Sequence, residues 1–189
     1  MPAVFYALSL TQVSQQALVQ GRPSLPLQWH QPQDLHLTLA FIPDASCDEL
    51  KVLDESLPLL TADVGDYLEI ASLDRWQHPQ GAEHWVARCA MAPWIESLYT
   101  RVRTLCEAQG VGTDSHHGFL PHVTLGWSHG PVSVNREVSA ELSEVWLTKV
   151  TTVCFSGIGL YERDPDQRSG RYRARQWQPV KTNPADLVE

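Results

Sequence analysis

Apolar positions recur along the chain with two periods, and the switches between them mark out the elements. Ala3–Leu8 is a short apolar run of strand formers, and from Thr11 onward Val13, Ala17 and Leu18 take helical spacing. Gly21–Gln33 carries Pro23, Pro26 and Pro32 and reads as a loop. Asp34–Phe41, DLHLTLAF, then alternates cleanly as a second strand. Leu50, Leu53 and Leu57 share one face of a helix predicted over Cys47–Leu60, ending near Pro58. Tyr67–Leu73 and Glu83–Met91 read as strands joined through the polar segment Arg75–Gly81. A helix follows from Pro93 to Gln109, with Trp94, Leu98, Val102 and Leu105 at period 3 to 4 and Gly110 as its stop. Beyond the loop Gly112–Gly118, FLPHVTLGW, Phe119–Trp127, is another alternating strand. The last third predicts strands around Val145–Tyr161 and Arg171–Val180, separated by a turn over Glu162–Gly170.

The order strand, helix, loop, H-x-T-L strand occurs twice, with His36 and His122 separated by 86 residues. A shuffled chain of this composition would hold roughly 0.06 H-x-T-L tetrapeptides. Both copies place an aromatic five residues after the histidine, Phe41 and Trp127. A duplicated unit folding as two similar halves of one bilobal domain over residues 1–189 is the expectation.

Side chains alternate across a strand, so His36 and Thr38 face one way, about 6.6 Å apart, while Leu35, Leu37 and Leu39 face the other. The same pattern sets His122 and Thr124 against Val123 and Leu125. Each half therefore offers one imidazole and one hydroxyl on the side opposite its apolar core. Brought together, they give two groups that titrate near neutral pH and two hydroxyl donors on the scale of a phosphate. One imidazole can take a proton from water while the other, as imidazolium, protonates a leaving oxygen. Packing alone requires only the leucine side of each strand, which leaves the matched polar residues to function.

Composition narrows the partners. With 14 basic against 22 acidic residues and a formal charge of −8, the chain cannot neutralise the several phosphates that wrapping a duplex demands. Arg163, Arg168, Arg171, Arg173 and Arg175 nevertheless cluster near the C-terminus, where they make either an anion-facing edge or a solvated loop. No apolar run approaches the ~18 residues of a membrane span. The start, MPAVFYALSL, lacks the basic flank of a signal peptide, so a cytoplasmic protein is expected; a monomer is taken as the working expectation. Cys47, Cys89, Cys106 and Cys154 are widely spaced among apolar residues and are expected to be reduced and buried.

The two motifs, HLTL at His36–Leu39 and HVTL at His122–Leu125, resemble those of the two-histidine (2H) phosphoesterases. The bacterial branch of that family is the LigT-like RNA 2′,3′-cyclic phosphodiesterases, also named 2′-5′ RNA ligases. VFYAL near the start, and GLYER with Gly170, Tyr172 and Trp177 near the end, extend the resemblance over nearly the whole chain. It implies an α+β fold, bilobal and duplicated, with two mostly antiparallel sheets facing a central cleft and helices on the outer faces. It implies no cofactor and no metal. His36 would be the proton donor to the leaving 3′ oxygen and His122 the acceptor that activates water, with Thr38 and Thr124 holding phosphate oxygens. The substrates would be RNA ends or small cyclic nucleotides, and the product a 2′-phosphomonoester. The near-equivalence of the two halves means that the residues themselves do not say which histidine is acid and which base.

One position departs from the family. Relatives often carry an arginine five residues after the second histidine, where this chain has Trp127. Arg171, Arg173 or Arg175 could supply that cation if the last strand borders the cleft, with Tyr172 a further candidate contact. Trp127 itself could stack on a base or fill the core, and Trp29, just ahead of the first motif, carries the same two readings. Other chemistries are weaker. His116, His117 and His122 lie close in sequence, but no H-E-x-x-H or cysteine pair accompanies them. No G-x-S-x-G occurs and no cysteine neighbours a histidine. The same cleft could serve a 2′-5′ RNA ligase or act on another cyclic or 2′,5′-linked nucleotide. It could also bind a nucleotide or RNA end without turnover, although binding alone would not call for two titratable groups.

Overall fold

In the computed structural model, residues 1–77, 81–114, 118–129, 143–163 and 172–180 are described. Two strand–helix–strand units organise them. In the first, β1 (Val4–Leu10) leads through α1 (Gln12–Gln20) and the two-residue β2 (Gln28–Trp29) to β3 (His36–Ile42). After α2 (Cys47–Ser56) and β4 (Tyr67–Gln77), the second runs from β5 (Glu83–Cys89) through α3 (Pro93–Ala108) to β6 (His122–Ser128). Two strands, β7 (Thr152–Arg163) and β8 (Tyr172–Pro179), follow. In both units the first strand pairs antiparallel with the H-x-T strand. Leu8 meets Leu37 in one and Ala87 meets Val123 in the other, so the repeat in the sequence is a repeat in register.

The strands form two four-stranded antiparallel layers, β3-β1-β7-β8 and β2-β6-β5-β4. At the centre they are joined by one β3–β6 pair, Leu37 with Val123. A second junction sets Tyr67–Glu69 of β4 against residues 152–154 of β7. The α+β, mostly antiparallel expectation is met, with the two sheets running into each other at the seam instead of standing apart. The apolar faces close on the helices: Val4, Tyr6, Leu8, Leu37, Trp85, Ala87 and Val123 are fully buried with Leu18, Leu53, Leu98 and Val102. The Tyr6 hydroxyl donates to the Leu53 carbonyl at 2.7 Å, tying β1 to α2.

Helix ends follow local chemistry. The Thr11 side chain accepts from the Ser14 amide, and Ser14 Oγ in turn accepts from the Cys154 amide, fixing α1 on β7. Ser46 and Glu49 form a reciprocal capping box at the start of α2. Gly110 ends α3 at φ +69, a backbone angle that disfavours any residue with a Cβ. S46A should lower unfolding stability by about 1 kcal/mol in urea titrations, since it orphans one amide donor of α2. An unchanged midpoint would mean that water replaces the cap without loss.

Several boundaries differ from those the sequence suggests. Residues 143–147 are helical and β7 begins only at Thr152. The strand ending at Leu73 continues to Gln77, because hydrogen bonding to β5 carries on opposite Glu83–Trp85. The motif strand of the second unit starts at His122, not Phe119, since Pro121 has no amide to pair.

Candidate active site

The pleat sorts the motif residues as their alternation requires. Leu37, Leu39, Val123 and Leu125 are buried in the core, while His36, Thr38, His122 and Thr124 sit half-buried on the opposite face. Antiparallel pairing of Leu37 with Val123 brings the two motifs together at the seam. The four polar side chains thus share one face around the seam.

Both imidazoles are held in the same way. A 3-10 turn, Pro32–Asp34, precedes β3 and presents the Asp34 carbonyl to His36 Nδ1 at 2.6 Å. The Leu120 carbonyl meets His122 Nδ1 at 2.7 Å. A carbonyl can only accept, so each Nδ1 carries the proton and each neutral ring keeps its lone pair on Nε2. This two-residue backbone clasp is the same in both halves, and it leaves Nε2 free to accept or deliver a proton.

The surroundings of the two rings differ. Phe5 stacks on His36 with centroids 4.8 Å apart, Tyr172 meets it edge-on at 5.1 Å, and Tyr161 lies beyond at 6.3 Å. Burial pushes the His36 imidazole down to about 4, against the opposing effect of the Asp34 carbonyl. His122 packs against Trp76 at 4.4 Å and is also lowered by burial, with the Leu120 carbonyl opposing. The neighbours across the strands are unlike as well: Ser9 stands opposite His36 and Arg88 opposite His122.

Two further histidines enter this face. His84 lies on β5 opposite both Trp127 and Trp76. His30 follows β2, its amide donating to the Leu125 carbonyl at 3.0 Å. Burial, then His84 and Arg22, bring His30 down to about 4. A charge on His30 or His122 disfavours one on His36, and His84 acts likewise on His30 and His122. Among the described residues no group of three His, Cys, Asp or Glu side chains is arranged to hold a metal ion.

The remaining expected contacts divide. Tyr172 borders His36. Trp127 is half-buried on the His84 side, edge-on to His129 at 4.5 Å, and is not a core residue. Trp29 packs over Gly126 with Arg22 above its ring, which fits the packing reading. Arg173 corrects an expectation. It pairs with Glu162, whose partner across the sheet is the buried Val4, so it stands on the face away from the histidines. Arg175 turns the same way, to Glu162 and to Asp54 of α2. Arg171, His116 and His117 lie outside the described residues. Trp76, His84 and Arg88 were not singled out from the sequence, although in EHWVARC the alternation sets His84 and Arg88 opposite Trp85 and Ala87.

Compared by sequence, the chain matches no protein-family model and no curated protein. Compared by structure, it matches E. coli LigT complexed with 3′-AMP at a TM-score of 0.65 and 17% identity, covering 96% of this chain and 99% of that one. The fold is that of LigT. TT0787 of Thermus thermophilus superposes at a TM-score of 0.67 with 21% identity, over 94% of this chain and 97% of that one. Usb1 of Kluyveromyces marxianus, solved with uridine monophosphate, superposes at 0.53 with 12% identity, over 95% and 98%. The LigT likeness spans both strand–helix–strand units, so the shared feature is the fold. No helix among the described residues is long and apolar enough to cross a membrane.

Proposed function

We propose that the chain is a 2H phosphoesterase, a single bilobal domain that hydrolyses 2′,3′-cyclic phosphates on RNA ends or small nucleotides without a metal. The observation that carries this reading is the pair of imidazoles on one sheet face, each clasped through Nδ1 by a backbone carbonyl. Each Nε2 is thereby presented for proton transfer, and Thr38 and Thr124 stand half-buried on the same face of the seam. His122 takes a proton from water as the water oxygen bonds to phosphorus. The P–O3′ bond breaks and His36, as imidazolium, protonates the departing 3′ oxygen. The product is a 2′-phosphomonoester with a free 3′ hydroxyl, and the two histidines exchange protonation states before the next turnover. Thr38 and Thr124 donate to the non-bridging oxygens, where negative charge grows. Assigning acid to His36 and base to His122 rests on the family resemblance.

Burial keeps both rings neutral in the free cleft near pH 7. The anionic phosphodiester supplies the opposite charge that lets one of them protonate. Nucleotides bound to LigT and Usb1 support a nucleotide-sized ligand here. The four cysteines are all free, which suits a reducing cytoplasm, although of the four expected to be buried Cys47 is exposed and Cys154 half-buried, and we take the working unit to be a monomer.

The test is hydrolysis of nucleoside 2′,3′-cyclic phosphates and of a short RNA with that terminus, in EDTA, with the phosphate position assigned by phosphorus NMR. A 2′-phosphate is expected. A 3′-phosphate would reverse the leaving-group assignment, and no turnover by folded protein would remove the reading altogether.

A further inference from the structure

Within that reading, the cleft has to meet an anion whose charge increases as water adds, and the four motif side chains bring at most one positive charge to it. The arginines distribute unevenly around this face. Arg75 pairs with Glu83 and lies over the buried Trp85 ring, and Arg173 and Arg175 are on the far side of their sheet. Arg163 stands at the end of β7 beside Tyr172. Arg88 differs: it pairs across β5 and β6 with His122 itself, and cross-strand partners project from the same face.

The way Arg88 is held also has a direction. Its Nε lies 2.9 Å from Asp74 Oδ2 and donates to Ser72 Oγ at 2.9 Å, both on β4. Ser72 stands directly opposite Arg88 and Asp74 opposite Val86, which places this tether on the same side of the sheet as His122. Among the described residues every hydrogen bond of the Arg88 head runs through Nε. The two terminal nitrogens are left to present a rigid fork of donors, and the side chain is 42% exposed. In the first half the equivalent position is Ser9, which accepts from Trp177 Nε1 at 2.7 Å, so no cation stands directly opposite His36.

We propose that Arg88 is the phosphate-binding cation of this cleft, with Asp74 and Ser72 as positioning residues that aim its terminal nitrogens at the non-bridging oxygens beside His122. Asp74 offsets part of the charge, so the pair acts as an oriented dipole with its positive end toward the substrate. The fork is matched to two oxygens of one phosphate.

The experiment uses the full chain and two readouts: binding of inorganic phosphate by calorimetry and turnover of a nucleoside 2′,3′-cyclic phosphate, for wild type, R88M, R88K and D74N. R88M is expected to weaken phosphate binding at least tenfold and to lower kcat/KM by about 10²–10³-fold, the scale of losing one oxyanion donor. R88K keeps the charge but loses the Nε tether and the fork, and should recover only part of the loss. D74N should lower kcat more than it weakens phosphate binding, because it misaims a cation that is still present. Melting curves of R88K decide folding if R88M does not fold. Equal phosphate binding by wild type and folded R88M or R88K would overturn the proposal, as would wild type that binds no phosphate. Turnover by wild type with none of these losses in the variants would leave the phosphodiesterase reading standing. Phosphate binding lost in R88M, without turnover in any protein, would uphold Arg88 and remove the phosphodiesterase reading instead.

Discussion

Replacing either His36 or His122 with alanine is expected to lower kcat/KM on a nucleoside 2′,3′-cyclic phosphate by about 10²–10⁴-fold, the range for loss of one general acid or base. The double variant should be hardly worse than either single one, because each step of the displacement needs both groups and their effects do not add. Product affinity should fall far less than turnover, since Thr38, Thr124 and the sheet face remain. The pH profile of kcat/KM for the wild type carries the same logic. It reports the free protein, in which both imidazoles titrate below the ordinary value of 6.5. The bell is therefore expected on the acid side of that value, with activity rising as pH falls from 8 until the base itself protonates. Because the two rings interact, its limbs belong to the pair and not to either residue. H36A and H122A should each lose the bell with the activity. A folded H36A or H122A that retained wild-type kcat/KM would eliminate the two-histidine mechanism.

The motif was legible in the sequence because it depends only on the period of two along a strand and on its repetition. His36, Thr38, His122 and Thr124 stand on the face that alternation requires, and the buried Leu37 and Val123 are the residues at which the halves join. What lies beside the motif was not legible, because it depends on register between strands far apart in the chain. Arg88 meets His122 across 34 positions and Trp76 reaches it across 46, and neither contact follows from local spacing. Arg173 shows the converse difficulty. Its strand was expected from pattern, but the face it turns to is set by its pairing with Glu162 on β7, and a one-residue slip in pairing exchanges the two faces. Tyr172, one residue earlier, falls on the histidine side for the same reason. The helical residues 143–147 escape a reading by pattern because Val145 and Leu147 alternate as a strand would.

Acid should destabilise this protein before its carboxylates protonate. His30 and His36 titrate near 4 in the folded chain and His122 is lowered as well, against about 6.5 once unfolded. Between those values the unfolded chain binds more protons, so stability falls as pH drops from 6.5 toward 4 and levels off below the folded value. For His30 and His36 the loss between pH 7 and pH 5 comes to about 2 kcal/mol each, from 1.36 kcal/mol per unit over the span titrated. Their sum is a large share of the roughly 5–15 kcal/mol that holds a domain together. Urea midpoints measured at pH 7 and pH 5 should show that drop, and a H30Q/H36Q double variant should flatten it. Equal midpoints at the two pH values would mean that these rings are hydrated enough to charge freely. Phosphate should oppose the effect, since an anion held between the imidazoles favours their charged forms and binds the folded state alone. Stabilisation by phosphate is therefore expected to be greater at pH 5 than at pH 7, which couples the titration that weakens the empty cleft to the charge that the proposed reaction requires.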